Sequence, residues 1–268
     1  MRPVGVIAWN VYRESVRDKV PYTLVVFTVL LMLASLLIGQ LSAGQDVRII
    51  KDLGLAASSL IGLFIAIFLG IGLVSKEVEK RSIFVILSKP VARHQFILGK
   101  YLGLLLTLAV NLAVMAAAHY LVLAWTAWGV PAAVQAAWER PALDVGLLAA
   151  YALTFCELAV VTAVALAFAT LSSPLLASAF TVATVVAGRL SADLRSIGDV
   201  VESPRAQQLA RALYAVLPHL DAFDVRAQVV HGPPVTATVV LWSVALAACY
   251  VVAALAVALL VFSRRDFR

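Results

Sequence analysis

The apolar positions of this chain fall in long unbroken runs, not in alternating pairs. The runs cover roughly 20–41, 53–75, 97–125, 145–171, 174–190 and 237–262. Each is long enough to cross a hydrocarbon core of about 30 Å as a helix. Continuous runs do not fit the in-out alternation of a membrane β-barrel. The pattern predicts an all-α, polytopic membrane protein with six transmembrane helices, forming a single membrane domain over 1–268. The first run lacks a small-residue cleavage motif, and polar Gln40 and Gln45 follow it. It is expected to be a retained anchor, not a signal peptide.

The stretches between the runs have their own patterns. In residues 4–19, Val4, Ile7, Ala8 and Val11 recur at helical spacing, with Arg13, Glu14, Arg17 and Asp18 on a polar face. Trp9 and Tyr12 suit a membrane interface, and Pro21 marks the turn into the first span. This predicts an N-terminal elbow helix lying in the membrane surface. Residues 42–52 are expected to be a short external loop. Trp125, Trp128 and Trp138, with Pro131 and Pro141 as breakers, mark an external interface. Leu171-Ser172-Ser173-Pro174 predicts a tight cytoplasmic turn. Residues 188–236 carry Asp193, Asp199, Glu202, Asp221, Asp224 and five arginines. Within them, 205–217 places Leu209, Leu213 and Val216 on one face. An amphipathic or re-entrant helix against the outer side is expected there.

Composition sharpens this picture. The chain is 63% hydrophobic and 13% charged, with a mean hydropathy of +0.98. The net charge of +6 is unevenly spread. If the N-terminus is cytoplasmic, thirteen of the 21 basic residues lie inside: Arg2, Arg13, Arg17 and Lys19, then Lys76, Lys80, Arg81, Lys89, Arg93 and Lys100, then Arg264, Arg265 and Arg268. Arg48, Lys51, Arg140, Arg189, Arg195, Arg205, Arg211 and Arg226 are left outside. The short loops and tails thus put both termini in the cytoplasm, and no nucleic-acid partner is expected. Cys156 and Cys249 both fall inside runs and read as packed residues, with no disulfide framework or metal site.

Several chemistries have no motif. Gly99-Lys100 is followed by Tyr101, and His94 stands where a phosphate loop has its first glycine, so a nucleotide-hydrolysing loop is missing. There is no H-E-x-x-H zinc motif and no G-x-S-x-G elbow. His94, His119, His219 and His231 are scattered. Glu157, near the middle of the fourth run, must face protein or water or be protonated. It reads as a polar clasp between the third and fourth spans, with Asn111 in hydrogen-bonding reach. The functional alternative is a substrate or proton site. Small residues from Ala163 to Gly188 allow close helix packing, internal or between subunits.

The stretch 76–100 concentrates six basic residues between two apolar runs. Its Ser82–Leu87 segment is apolar and is broken by Ser88-Lys89-Pro90. A short helix, a stop and a basic re-entry make a docking element for a soluble partner. Glu77-Val78-Glu79-Lys80-Arg81, Leu87-Ser88-Lys89-Pro90-Val91-Ala92-Arg93 and Phe96-Ile97-Leu98-Gly99-Lys100 resemble the first cytoplasmic loop of ABC-2 type transporter permeases. Leu171–Ala177, Leu217–Arg226 and Arg264–Phe267 resemble later parts of the same family in order, so the resemblance spans the chain. The nearest branch is the one containing the permease of the nitrous-oxide-reductase copper-site maturation system. Arg81-Ser82 stands where a common variant of the family has Gly-Thr.

The resemblance implies a membrane permease subunit of an ATP-binding-cassette exporter in the cytoplasmic membrane of a bacterium or archaeon. It implies two paired permease chains, most simply a homodimer, and separate ABC ATPase subunits that hold ATP and Mg. This chain itself is expected to bind no cofactor and to have no catalytic residues. The 76–96 loop would be the coupling element, with Glu77, Glu79, Arg81, Ser88 and Arg93 as contacts to the ATPase. Two other readings are a mechanotransmission subunit acting on a periplasmic partner through 188–236, and a proton-coupled carrier using Glu157.

Overall fold

A computed structural model describes residues 3–40, 46–79, 92–136, 138, 140–191, 205, 207, 208, 212, 214, 217–232 and 235–264. For Gln40, residues 73–79, Arg93 and residues 263–264 it describes the backbone alone. All regular structure among these residues is helical. In chain order the helices are α1 (Pro3–Arg17), α2 (Lys19–Gln40), α3 (Asp46–Glu79), α4 (Arg93–Trp128), the single turn α5 (Ala132–Gln135), α6 (Gly146–Leu171) and α7 (Pro174–Arg189). A 3-10 turn (Leu220–Phe223), α8 (Arg226–His231) and α9 (Ala237–Arg264) follow.

Among the described residues five helices, α2, α3, α4, α6 and α9, are long and apolar enough to cross a membrane. The expected fifth crossing, 174–190, is the 16-residue α7. At 1.5 Å per residue it is about 24 Å long, short of a core of about 30 Å. The expected 42–52 loop is also shorter than the pattern suggested, because α3 starts at Asp46. Asp46 in the first turn complements the helix dipole. Lys51, although charged, is only 2% exposed because its ammonium donates to the Pro141 carbonyl at 2.7 Å.

α6 is the central helix. In its spanning window 72% of the residues are buried, against 17% in α9. It packs on α9, α3, α7 and α4. Its small residues make this possible: Ala163, Ala165, Ala167 and Ala169 are all buried, and small side chains let neighbouring backbones approach. α2 packs on α3 and α4 and buries only Pro21, Val25, Thr28, Met32, Ser35 and Gly39. That stripe at three- and four-residue spacing marks a peripheral helix with most of its circumference turned outward.

α1 is a separate helix. The chain breaks at Asp18, whose carboxylate accepts from the Val20 amide at 3.2 Å and so caps α2. Pro21 therefore sits in the first turn of α2 instead of making the break, a position where its missing N–H costs nothing. α1 lies along the first turns of α4. A Cβ on Gly99 would lie 2.7 Å from Cβ of Ile7, and one on Gly103 would lie 2.6 Å from Cβ of Val11. Gly99 and Gly103 are four residues apart, so they form one flat face on which α1 rests.

Helix lengths give the fold its shape. Gly39 abuts Asp46, so α2 and α3 meet at one end. From there α2 runs back about 30 Å to Lys19, whereas α3 runs about 50 Å to Glu79. α4, with 36 residues, is about 54 Å long and lies beside α3, with His119 bonded to the Ile50 carbonyl at 3.1 Å. The far third of α3 and the first third of α4 thus extend about 20 Å past the start of α2. These two extensions lead into and out of residues 80–91.

Replacing Gly103 with Leu should force α1 off α4 and destabilise the protein by about 1–3 kcal/mol. Thermal unfolding in detergent should register a lower midpoint. Gly72→Ala is the control: a Cβ there meets nothing within 4 Å, so its melting point should hold or rise.

Candidate functional site

Glu157 lies halfway along α6 and is 3% exposed. Its partner comes from the end of the next helix. Arg189, the last residue of α7, donates from Nε to Glu157 Oε1 at 2.8 Å, and its NH2 is 2.8 Å from the same oxygen. NH2 also donates to Ser59 Oγ on α3 at 2.9 Å. One guanidinium therefore ties three helices at a single level.

The level follows from the hairpin. Glu157 is 14 residues before Leu171 and Arg189 is 15 residues after Pro174, with Ser172 and Ser173 as the turn. Both charges sit about 21–22 Å from that turn. A charge on each arm of a hairpin, equally far from the bend, must meet its counterpart or be left in hydrocarbon. That equality is present in the sequence, but the reading of Arg189 as an external residue hid it. Arg189 is half-buried at the ion pair.

The expected partner Asn111 is elsewhere. Its amide donates to the Thr107 carbonyl at 2.7 Å, and it faces a cleft shared with α1 and α2. Position 111 is on a different side of α4 from the side that meets α6, so the clasp joins α6 to α7 and α3 instead of α6 to α4.

A second ion pair stands beside the first. Arg226 Nε donates to Asp224 Oδ1 at 2.8 Å and its NH2 to Oδ2 at 2.5 Å, a two-pronged match of fork to carboxylate. Glu157, Ser59, Thr154, Phe223, Asp224 and Arg226 line a shared crevice too narrow for a water molecule.

The segment before α9 is fastened at this depth. His219 Nδ1 lies 2.5 Å from the Tyr250 hydroxyl, in the middle of α9, and the His219 amide donates to the same oxygen at 3.2 Å. Ser243 donates to the Ala222 carbonyl at 3.1 Å. Leu220, Phe223, Val229 and Val230 are buried. Arg140 donates to the Val229 carbonyl at 2.9 Å and also to that of Gly232, capping the end of α8. The Leu209, Leu213 and Val216 face expected earlier lies outside the described residues. Residues 205, 207, 208, 212 and 214 are helical.

His119 belongs to a separate buried network. Nε2 meets the Ile50 carbonyl, which can only accept, so Nε2 carries the proton. Nδ1 then accepts from the Tyr151 hydroxyl at 2.9 Å, and Ser58 Oγ is 3.1 Å from that hydroxyl. All these groups are satisfied by protein, as packing requires.

The expected coupling residues are only partly visible. Glu77 and Glu79 lie in the last turns of α3 and Arg93 is the first residue of α4, all three with undescribed side chains. Arg81 and Ser88 lie outside the described residues. Close by, Lys100 is 2% exposed with its ammonium 5.1 Å from the Phe96 ring centroid, and Phe96 stacks on Phe262 at 5.9 Å. Among the described residues, no three His, Cys, Asp or Glu side chains gather as for a metal.

Removing one charge of the Glu157–Arg189 pair strands the other. Arg189→Leu alone should cost about 3–5 kcal/mol, while Glu157→Leu with Arg189→Leu should recover most of it. Melting points of the two single variants and the double variant in detergent give this cycle. A double variant as unstable as the singles added together would show that the two residues do not act as a pair.

The model of one family, described as ABC-2 family transporter protein, matches residues 6–267. A search of curated proteins gave no match. With five helices able to cross a membrane and a family match over nearly its whole length, this chain is a multi-pass membrane protein that belongs to the ABC-2 transporter family.

Proposed function

We propose that the chain is the permease subunit of an ABC exporter, driven by a separate ATPase that carries ATP and Mg. The observation that carries this reading is the family match together with the two helical extensions that lead to residues 80–91. The ends of α3 and α4 that run past the start of α2 flank residues 80–91 in the chain, which makes that stretch the proposed grip for a soluble protein. Glu77, Glu79, Arg81, Ser88 and Arg93 are the proposed contacts. Closure of the ATPases would tilt α3 and α4, and both helices pack directly on α6.

Several finer features belong to this proposal. The short α7 is a sixth crossing whose outer part is completed by the buried segment 217–231. α1 is an elbow helix at the cytoplasmic interface, with exposed Trp9 at one boundary and exposed Trp125 and Trp128 at the other. Both termini are cytoplasmic, the membrane is the bacterial or archaeal inner membrane, and two chains pair. The subfamily is the branch of the nitrous-oxide-reductase copper-site permease.

A second reading, transmission of the stroke to a periplasmic partner, is supported by the fastening of 217–232. Arg140, Tyr250 and Ser243 tie that segment to the spans, so movement of the spans would reach the outer side. The carrier reading of Glu157 is weaker, because its carboxylate is already held by Arg189.

Replacing 77–93 with a Gly-Ser sequence of equal length should abolish co-purification with the cognate ATPase, while the melting point of the chain stays near that of the parent. A scrambled variant that still assembles with the ATPase and supports its ATP hydrolysis would overturn the coupling assignment.

A further inference from the structure

Away from the charge cluster, a cleft of about 110 Å³ lies beside the end of α1, the first two turns of α2 and the middle of α4. Val16, Pro21, Val25, Val110 and Val114 supply its apolar walls. Its polar lining is Tyr12, Ser15, Tyr22, Thr107 and Asn111, all of them uncharged. Tyr22, Val110 and Val114 are exposed, so the cleft opens on the surface of two spanning helices.

Two of the polar groups are already used. Ser15 donates to the Val11 carbonyl at 2.9 Å and Thr107 to the Gly103 carbonyl at 3.0 Å. Asn111 is only half used. Its side chain meets the Thr107 carbonyl at 2.7 Å. A carbonyl can only accept, so the amide nitrogen must face it, and Asn111 Oδ1 is the atom left over. Among the described residues nothing donates to that oxygen, and the Tyr12 and Tyr22 hydroxyls have no hydrogen-bond partner either.

The chemistry of the lining selects what can fill the space. An ion would find no counter-charge in it. At roughly 30 Å³ per water-sized group, the cleft holds three or four such groups. As many waters would want about 2–4 polar partners each, and the lining leaves too few free. A bare hydrocarbon would suit the valines but would shut Asn111 Oδ1 from water without a donor, at a cost of about 1–3 kcal/mol. A hydroxyl on a short hydrocarbon stem satisfies both the apolar wall and the one fixed acceptor, the usual composition of a small-molecule site.

We propose that the cleft binds the hydroxyl end of an uncharged amphiphile, whose O–H donates to Asn111 Oδ1 while its first methylenes lie against Val25, Val110 and Val114. The rest of its chain leaves through the open side into the bilayer. The site requires only that the protein lie in a membrane and does not depend on the ATPase reading.

The test uses 3-azioctanol, an alcohol with a photoreactive diazirine on its third carbon, and the full-length chain in phosphatidylcholine nanodiscs. Irradiation and peptide mass spectrometry should find a saturable adduct within residues 12–25 or 107–114. At equal mole fraction in the bilayer, 1-octanol should compete for it about tenfold better than 1-methoxyoctane, because the ether keeps the oxygen but cannot donate. Asn111→Leu should erase that difference, with a melting point near that of the parent showing that the variant is folded. Val110→Trp, and independently Val114→Phe, should fill the cleft and remove the adduct. Both positions are exposed, so the larger side chains spare the packed core. Equal competition by the alcohol and the ether in the parent protein would overturn the proposal. So would a preference that survives Asn111→Leu, an adduct unchanged in both filled variants, or no saturable adduct in the lining.

Discussion

A carboxylate buried halfway along the central helix constrains this structure more than any other group. Left alone in hydrocarbon it costs a few kcal/mol even on a lenient scale. Its answer is a guanidinium at the end of a short helix. Arg189 reaches Glu157 from the last position of α7, so the pair holds the end of α7 against the middle of α6. Ser59 brings α3 to the same point.

The early stop of α7 has a cost that the rest of the fold meets. Backbone that leaves a helix within a bilayer must be buried in protein with its polar groups paired. The segment 217–232 meets that condition. Apolar Leu220, Phe223, Val229 and Val230 are buried against the spans, and carbonyls of Ala222, Val229 and Gly232 accept from Ser243 and Arg140. Lys51, near the start of α3, follows the same rule: its burial is tolerated because its ammonium donates to the Pro141 carbonyl.

Much of the architecture was legible in the sequence because bilayer thickness imposes run length directly. Five of the six runs became long helices with ends shifted by a few residues, and the Ser172-Ser173 turn lies where the pattern put it. Three things were harder to read. The fifth run became a helix of only 16 residues, shorter than its neighbours. The count of basic residues by side placed Arg189 outside, although its register on the hairpin points to Glu157. Gly99 was read for a phosphate loop that is missing, whereas Gly99 and Gly103 together form a packing face, a meaning visible only once α1 is recognised as their partner. The coupling contacts from Glu77 to Arg93 come from resemblance, not from run length or register.

The Glu157–Arg189 pair also bears on the order in which the chain enters its membrane. Taken alone, α7 is a poor insertion signal, with 16 residues and an arginine at its C-terminal end. Taken alone, α6 carries an acid at its centre. Each is a better lipid-soluble segment when the other is present, because their charges cancel at one depth. The two helices are therefore suited to enter as a single hairpin, with the second waiting on the first, so that a contact of the finished fold also sets a sequence of events during synthesis.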